Sequence, residues 1–438
     1  MDVRVIRTEG LGDTTYLAVH DGVGILVDPQ RDVDRFLTLA DEAGGAVGWV
    51  LETHVHNDYV SGALEAARQA GARLVLPAGA GAAFDHTPAF HGEDLDAGGL
   101  VIRPLHTPGH TPEHCSYLIL AEGQPIAVFT GGSLLVGAAG RTDLLGRERA
   151  RQLAKLQHGS LRRLAALPGT VAVYPTHGQG SFCADSDAGG RVTSTVADEL
   201  RSNPTLAYPD AEAFARGQLA GLQPYPAYYT HMAPINLRGP SPVPARAVPQ
   251  LSLDEVDATA HIVDIRPHEA FAAGHLPGAL SVELADEFGV WVAWLLPFGA
   301  PVVLVAAPDQ PVEDAVVQLA RLGFDHVRGV LRWAGGRGVS YREVGVDEFA
   351  RAARAGAQVL DVRSPAEWDS EHIPGSVLRY LPDLVTGAPL GLRPEQPVWV
   401  ACASGYRATI AASLLERHGF TPVVLTDAGI PDVLPHPP

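Results

Sequence analysis

Through the first half of the chain, short runs of β-branched and aliphatic residues alternate with polar loops. "GILVDP" (24–29), "GWVLETH" (48–54), "RLVLPAG" (73–79), "LVIRPLHTPGH" (100–110), "SYLIL" (116–120), "PIAVFTGG" (125–132) and "VAVYPTHG" (171–178) all read as strands ending at a polar loop. "DRFLTLADEAG" (34–44) and "GALEAARQAG" (62–71) have helical spacing and lie between some of them. Histidines sit at several of the strand ends, so the loops are expected to converge on one edge of a layered α/β structure. Residues 236–250, "NLRGPSPVPARAVPQ", have no periodicity and much proline and glycine, and are expected to be a linker.

Beyond the linker the pattern repeats. "IVDIRPHEAFAAGHLPGAL" begins at Ile262 and "VLDVRSPAEWDSEHIPGSV" at Val359; Asp264 matches Asp361 and His275 matches His372, each pair 97 residues apart. "PVVLVAAPDQPVEDAVVQLARLGF" (301–324) likewise lies over "PVWVACASGYRATIAASLLERHGF" (397–420). Each copy runs strand, loop, strand, loop, helix, as a small α/β domain does. The expected organisation is therefore 1–235, a linker at 236–250, and two tandem copies at 251–340 and 341–438.

Composition narrows this picture only a little. At 438 residues the chain is too long for one core. A net charge of −18 argues against nucleic acid or an anionic membrane as the main partner. The acidic, strand-like start shows no secretory signal, and no apolar run is long enough to span a bilayer. Three scattered cysteines, Cys115, Cys183 and Cys402, argue for a reducing, cytoplasmic setting in which an important cysteine acts as a thiol.

One of the three has a chemical context. In "VACASGYRATIAASLL", Cys402 follows an apolar strand and precedes a helical run, where backbone N–H groups favour an anion. A thiolate there has a lowered pKa and is a better nucleophile near neutral pH. Gly405 lets the loop turn tightly, Ser404 and Gly405 are expected to bind substrate, and Arg407 is expected to offer its guanidinium to a sulfur oxyanion or persulfide. With "DVRSPAEWDSEHIPGS" and "CASGYRA", the tandem copies resemble rhodanese domains. That resemblance implies that Cys402 carries a persulfide between a sulfane-sulfur donor, such as thiosulfate, and a thiol acceptor. In the first copy the place of Cys402 falls on Ala306 and that of Arg407 on Pro311, so that copy is expected to be structural or a docking domain.

The second chemical signal is histidine. "ETHVHNDYVSG" brings His54, His56 and Asp58 into one tight loop, "HTPGHTPEHCSY" adds His110, and "VYPTHGQGS" adds His177. Imidazoles and a carboxylate converging from strand ends suit a first-row metal. His106, His114 and His158 are expected to be ordinary core or surface residues.

This half resembles the metallo-β-lactamase fold, an αββα sandwich, and within it the persulfide dioxygenases, through "HTPGHTPEHCSY", "FTGGSLLVGAAGRTDLLG" and "VYPTHG". The resemblance implies one Fe(II), with Zn or a metal-free domain as alternatives, held by His54, His110 and an aspartate. That aspartate is missing, because Gly132 stands in its place. Tyr59 stands where dinuclear hydrolases of the fold have a histidine, and is expected to face substrate or to pack. The favoured expectation is a face of His54, His56 and His110 with water filling the gap at Gly132. Asp58 swinging in, or Asp143 from "GRTDLLG", are weaker candidates, Asp143 being expected in a supporting place. "LRSNPTLA" (200–207) and "PYPAYYTHMAPIN" (224–236) are expected by resemblance to border the substrate entrance.

Three readings follow. The first is a persulfide dioxygenase coupled to sulfur transfer through Cys402, acting on small persulfides and forming a homo-oligomer. The second is a sulfurtransferase whose first domain is catalytically silent, and the third a thioester hydrolase.

Overall fold

A computed structural model describes residues 1–183, 190–243, 247–335, 338–387 and 391–434. The chain forms two compact units, residues 1–244 with 320–323 and the remainder. The stretch expected to be a linker is shorter than its composition suggests. Its first residues close the helix Tyr229–Arg238, residues 244–246 lie outside the described ones, and strand pairing resumes at Gln250.

The first unit is built on two six-stranded sheets. One runs in order through β1 (Asp2–Thr8), β2 (Asp13–His20), β3 (Val23–Val27), β4 (Ala46–Leu51), β5 (Arg73–Pro77) and β6 (Thr87–Ala89). It is antiparallel up to β3 and parallel from there. The second sheet contains β7 (Leu95–Asp96), β8 (Leu100–His106), β9 (Cys115–Ala121) and β10 (Gln124–Gly131) as an antiparallel meander. After a small hairpin of β11 (Leu134–Leu135) and β12 (Ala138–Ala139), β13 (Ala172–Pro175) joins β10 in parallel, and β14 (Ser194–Thr195) closes the edge.

The continuous apolar runs follow from burial of both faces of these strands. Tyr16, Ile25 and Leu51 of the first sheet meet Ile102, Tyr117, Ile119 and Phe129 of the second, and Cys115 belongs to this core. On the outer face, Leu17, Leu26 and Val50 pack with Phe36 and Ala66 of the helices Asp34–Glu42 and Ala63–Ala70. Outside the second sheet, Val128 and Val173 pack with Leu161 and Phe214 of the helices Arg147–Ala165 and Ala211–Ala220. This is the αββα sandwich that the resemblance implies.

The second unit contains the two copies, each a five-stranded parallel sheet with the same strand order. The first is β15 (Gln250–Leu251), β19 (Val327–Arg332), β18 (Val302–Ala306), β16 (His261–Asp264) and β17 (Leu280–Ser281). The second is β20 (Arg342–Val344), β24 (Pro422–Leu425), β23 (Val398–Ala401), β21 (Gln358–Asp361) and β22 (Val377–Leu378). Even the buried ion pairs repeat: Arg266 to Asp264 at 2.7 Å and Arg363 to Asp361 at 2.8 Å. Among the described residues no helix is long and apolar enough to cross a membrane.

One core residue ties the sandwich to the loop that carries His54. Tyr117 is fully buried between the sheets and donates its hydroxyl to the Glu52 carbonyl at 2.8 Å. Tyr117→Phe removes that donor in a dry environment, and the expected cost is about 1–3 kcal/mol in a urea unfolding titration.

Candidate functional site

The histidines gather at one end of the sandwich because each follows a strand end. His54 comes just after β4, His110 from the β8–β9 loop, and His177 just after β13, while Gly132 follows β10. His54, His110 and His177 are all buried, and one nitrogen from each lies within 4.8 Å of the others.

Hydrogen bonding fixes which nitrogen each ring presents. A carbonyl can only accept, so the bond of 2.8 Å between His110 Nδ1 and the Arg141 carbonyl puts the proton on Nδ1. His177 Nδ1 likewise donates to the Asp13 carboxylate at 2.8 Å. Thr53 donates its hydroxyl to Asp28 at 2.7 Å, so its oxygen receives the Nδ1 proton of His54 at 2.8 Å. All three rings therefore turn a bare Nε2 inward. The Nε2 of His110 is buried without a partner, and those of His54 and His177 approach to 3.2 Å. Two nitrogens bound to one ion at about 2.0–2.1 Å each sit about 3 Å apart, so the spacing fits a shared cation.

The electrostatics match this geometry. Burial, reinforced by the neighbouring histidines, pushes His54 and His110 well below the usual imidazole range, and burial also lowers His177. Neutral imidazole is the form that binds a metal. These donors fit a resident metal ion.

His56 differs. Its Nε2 lies 3.0 Å from the Tyr59 hydroxyl, 3.3 Å from Asp28 and 3.5 Å from Glu52. Burial opposes its charge, but Glu52 and Asp28 outweigh burial and raise it to about 9. The expected face of His54, His56 and His110 is not among the groups whose ligand atoms lie together among the described residues; His54 and His110 group with His177, and His56 with Asp58 and His177. Groups of Asp28, His54 and His56, and of His56, Asp58 and His177, are also close enough to share an ion, and His56 Nδ1, buried without a hydrogen-bond partner among the described residues, lies 3.9 Å from Asp58. Tyr59 is fully buried, stacks on His56 at 4.3 Å and donates to the Asp28 carbonyl at 3.2 Å, so it orients His56 and does not face substrate.

The gap expected at Gly132 does not exist. A Cβ built there would stand 2.7 Å from Cγ and Nε2 of His110 and closer still to Cδ2, so the imidazole fills the space intended for water. Asp58 turns to His177 at 3.4 Å, and Cys183 Sγ lies 3.7 Å from it. Asp143 is bound by Arg141 at 2.7 and 2.9 Å and, among the described residues, is in none of the groups close enough to share an ion.

Several residues here escaped the sequence reading. His114 is a core histidine, as expected, but a placed one: it is fully buried, stacks 5.1 Å from His54 and accepts the Gly132 N–H at 3.0 Å. His106 is exposed, and His158 packs on Phe214. Asp13, Asp28 and Glu52 form a buried carboxylate layer; burial raises Asp13 to about 7 and Glu52 to about 8. Burial also raises Asp58, to about 7, with Asp13 adding to it. Burial works against Asp28 too, yet His56 and the Thr176 and Thr53 hydrogen bonds bring it below the usual carboxylate range. Their available signal was that each carboxylate lies at a strand end on the histidine edge. Of the segments expected at the entrance, 224–236 contributes Asn236, which donates to the His56 and Tyr59 carbonyls at 2.9 Å. In 200–207, Asn203 holds the Leu135 and Ala138 carbonyls of the small hairpin.

The second candidate site is the loop after β23. Cys402 is buried, and the Gly405 N–H points at its Sγ at 3.1 Å. Gly405 has φ +99°, which lets the chain turn into the helix Tyr406–Arg417. Ser404 is exposed at the loop tip. Arg407 does not stand free for an oxyanion, because both terminal nitrogens grip Glu367 at 2.7 and 2.8 Å, the bidentate pairing that suits guanidinium and carboxylate. In the first copy, strand register sets Ala306 where Cys402 stands, and Gln310 fills the loop, accepting from Ala307 N–H and donating to the Ile265 carbonyl. That copy braces the 406–417 helix instead: His275 meets Glu416 at 2.8 Å, Ser281 N–H meets Ser413, and Tyr406 donates to the Glu283 carbonyl.

Comparison with known proteins divides along the same lines. The metallo-beta-lactamase superfamily model matches residues 8–177, and the rhodanese-like domain model matches 249–336 and 346–434. A hydroxyacylglutathione hydrolase of Acidiphilium cryptum is 30% identical over 239 residues, covering 48% of this chain and 93% of that protein. A mitochondrial persulfide dioxygenase of Bos taurus is 28% identical over 219 residues, 49% of this chain and 78% of that protein. Among solved structures, a metallo-beta-lactamase from Staphylococcus aureus aligns with TM-score 0.69 at 26% identity, covering 76% of this chain and 99% of that one.

The Glu367–Arg407 pair gives a pH prediction. Burial opposes the Glu367 charge, but Arg407 overrides it and holds the carboxyl down at about 2. A depressed carboxylate stabilises the fold above its unfolded pKa of about 4.3 and loses that contribution as pH falls toward the folded value. Urea midpoints of parent and Glu367→Gln should therefore differ at pH 6 and converge as pH drops from about 4 to about 2.

Proposed function

We propose, for a chain that belongs to the metallo-β-lactamase superfamily and continues into two rhodanese-like domains, a bifunctional enzyme of sulfur metabolism. The first domain, 1–235, oxidises a low-molecular-weight persulfide: RSSH + O2 + H2O gives RSH, sulfite and two protons. The last domain, 341–438, transfers sulfane sulfur through Cys402, with the Cys-less domain at 251–340 as its brace. The observation that carries this reading is the convergence of three proton-free Nε2 atoms from His54, His110 and His177 in a chain that also presents a cysteine loop.

Those three histidines would hold one Fe(II), which when bound supplies open positions for a sulfur ligand and O2. The protein's own part is to keep the rings neutral and aimed, through Thr53 and Asp28 on His54, Arg141 on His110, and Asp13 on His177. In the last domain the Cys402 thiolate attacks the outer sulfur of thiosulfate. The S–S bond of the donor breaks, sulfite leaves with the electron pair, and a Cys402 persulfide forms for a thiol or sulfite to collect. The Gly405 N–H, aimed at Sγ, steadies the thiolate. The persulfide dioxygenase relative and the rhodanese-like domains both support sulfur chemistry.

A second reading, hydrolysis of a glutathione thioester, draws on the hydroxyacylglutathione hydrolase relatives. Two features of this chain count against it: Gly132 offers no carboxylate to bridge two metals, and Tyr59 replaces the histidine of a dinuclear site.

Oxygen uptake by iron-reconstituted protein given glutathione persulfide separates these readings. Uptake is expected to persist in Cys402→Ser and to vanish in His110→Ala, while persulfide transfer from thiosulfate vanishes in Cys402→Ser alone. Hydrolysis of a hydroxyacyl-glutathione without oxygen uptake would establish the second reading. No uptake together with Cys402-dependent transfer would leave the first domain silent.

A further inference from the structure

The missing carboxylate at 132 leaves a question of charge. Two histidines and a bound aspartate bring one negative charge to a divalent ion, whereas three neutral imidazoles bring none. The structure answers it one bond further out. Asp13 is fully buried at the start of β2, and its Oδ1 receives the Nδ1 proton of His177 at 2.8 Å. Its other oxygen, Oδ2, is buried, and the Asp58 carboxylate beside Asp13 lies 3.4 Å from the same His177 Nδ1. A carboxylate so placed raises the basicity of the imidazole and locks its orientation. Backbone pairing holds the arrangement, since Asp13 and His177 form an antiparallel bridge and Thr14 N–H meets the Thr176 carbonyl at 2.7 Å.

Gly132 is the steric half of the same arrangement. The His110 ring lies over its Cα, where any side chain would stand, and Gly140 approaches from the other side, its own Cβ position lying 2.9 Å from His110 Nδ1. A residue with a Cβ at 132 and His110 in its present place exclude one another.

We infer that this metal site has been rebuilt rather than depleted: Gly132 opens the place that His110 occupies, and Asp13, with Asp58 beside it, supplies through His177 the negative charge that a bound aspartate would supply. The inference rests on the metal-site reading above. It makes Asp13 a positioning residue, and it means that returning an aspartate to 132 harms the site.

The test is anaerobic Fe(II) titration of the full chain against a competing chelator, with thermal unfolding of each metal-free variant and the visible spectrum of the Co(II)-loaded protein. Asp13→Asn keeps an oxygen for the His177 Nδ1 proton but removes the charge; the expected result is about 10–100-fold weaker Fe(II) binding and a shifted Co(II) spectrum, with unfolding of the metal-free protein not lowered. Gly132→Asp and the smaller Gly132→Ala should both weaken binding. Fe(II) affinity unchanged in Asp13→Asn, or tighter in Gly132→Asp than in the parent, would overturn the inference. Should either glycine variant fail to fold, Asp13→Asn decides. His110→Ala and His177→Ala serve as controls: if both bind Fe(II) like the parent, the metal-site reading falls, and if both lose Fe(II) while Asp13→Asn does not, only the inference falls.

Discussion

Every imidazole of the converging trio has its Nδ1 proton engaged by an acceptor that the fold holds in place, and the rest of the site depends on that constraint. The Arg141 carbonyl, the Asp13 carboxylate and the Thr53 hydroxyl (itself committed to Asp28) each take one proton. Left with bare Nε2 atoms in a buried pocket, the rings disfavour protonation, and a shared cation would satisfy all three nitrogens at once. His56, 4.2 Å from His54 between ring centres, shows how local the constraint is. With Tyr59, Asp28 and Glu52 around its Nε2 it is drawn toward the charged form, while its Nδ1 stays without a hydrogen-bond partner among the described residues.

In the second unit the equivalent constraint is the seating of one helix. The loop of Cys402 is defined by where the 406–417 helix begins, and the first copy grips that helix near both ends, through Tyr406 at the start and Glu416 and Arg417 at the finish. A copy without a cysteine thereby acquires a task that needs none. His275 and His372 make the point at matched positions. Both stack on an aromatic ring, Phe271 and Trp368, but among the described residues only His275 has an acceptor from the other copy against its Nε2.

Much of this was legible in the sequence. The apolar runs marked the strands because both faces are buried, and the duplicated "D-x-R" and "H-x-P-G" segments marked the repeat because each arginine folds back on its own aspartate. The histidine edge was legible as well, since strand ends set it. Which histidines would converge was not, because ring orientation is decided by partners remote in sequence: Asp13 lies 164 residues from His177, and Arg141 lies 31 from His110. Nor does a missing side chain in a sequence reveal that a neighbouring ring fills its space, so Gly132 read as a hole. His114 looked ordinary for the same reason, its neighbours Thr107, Gly132 and His54 being brought to it by three different loops.

The bridge between Asp13 and His177 also has a temporal side. Asp13 opens the second strand of the chain, while His177 follows the strand that joins the second sheet late. Ribosomal synthesis delivers His54 and His110 long before the residue that completes the trio. Until β13 has settled beside β10, only two of the three nitrogens are in reach of one another, and Asp13 lacks its proton donor. On the proposed reading, the trio is complete only once the sandwich has closed, so its third nitrogen joins the site late in the chain's order of synthesis.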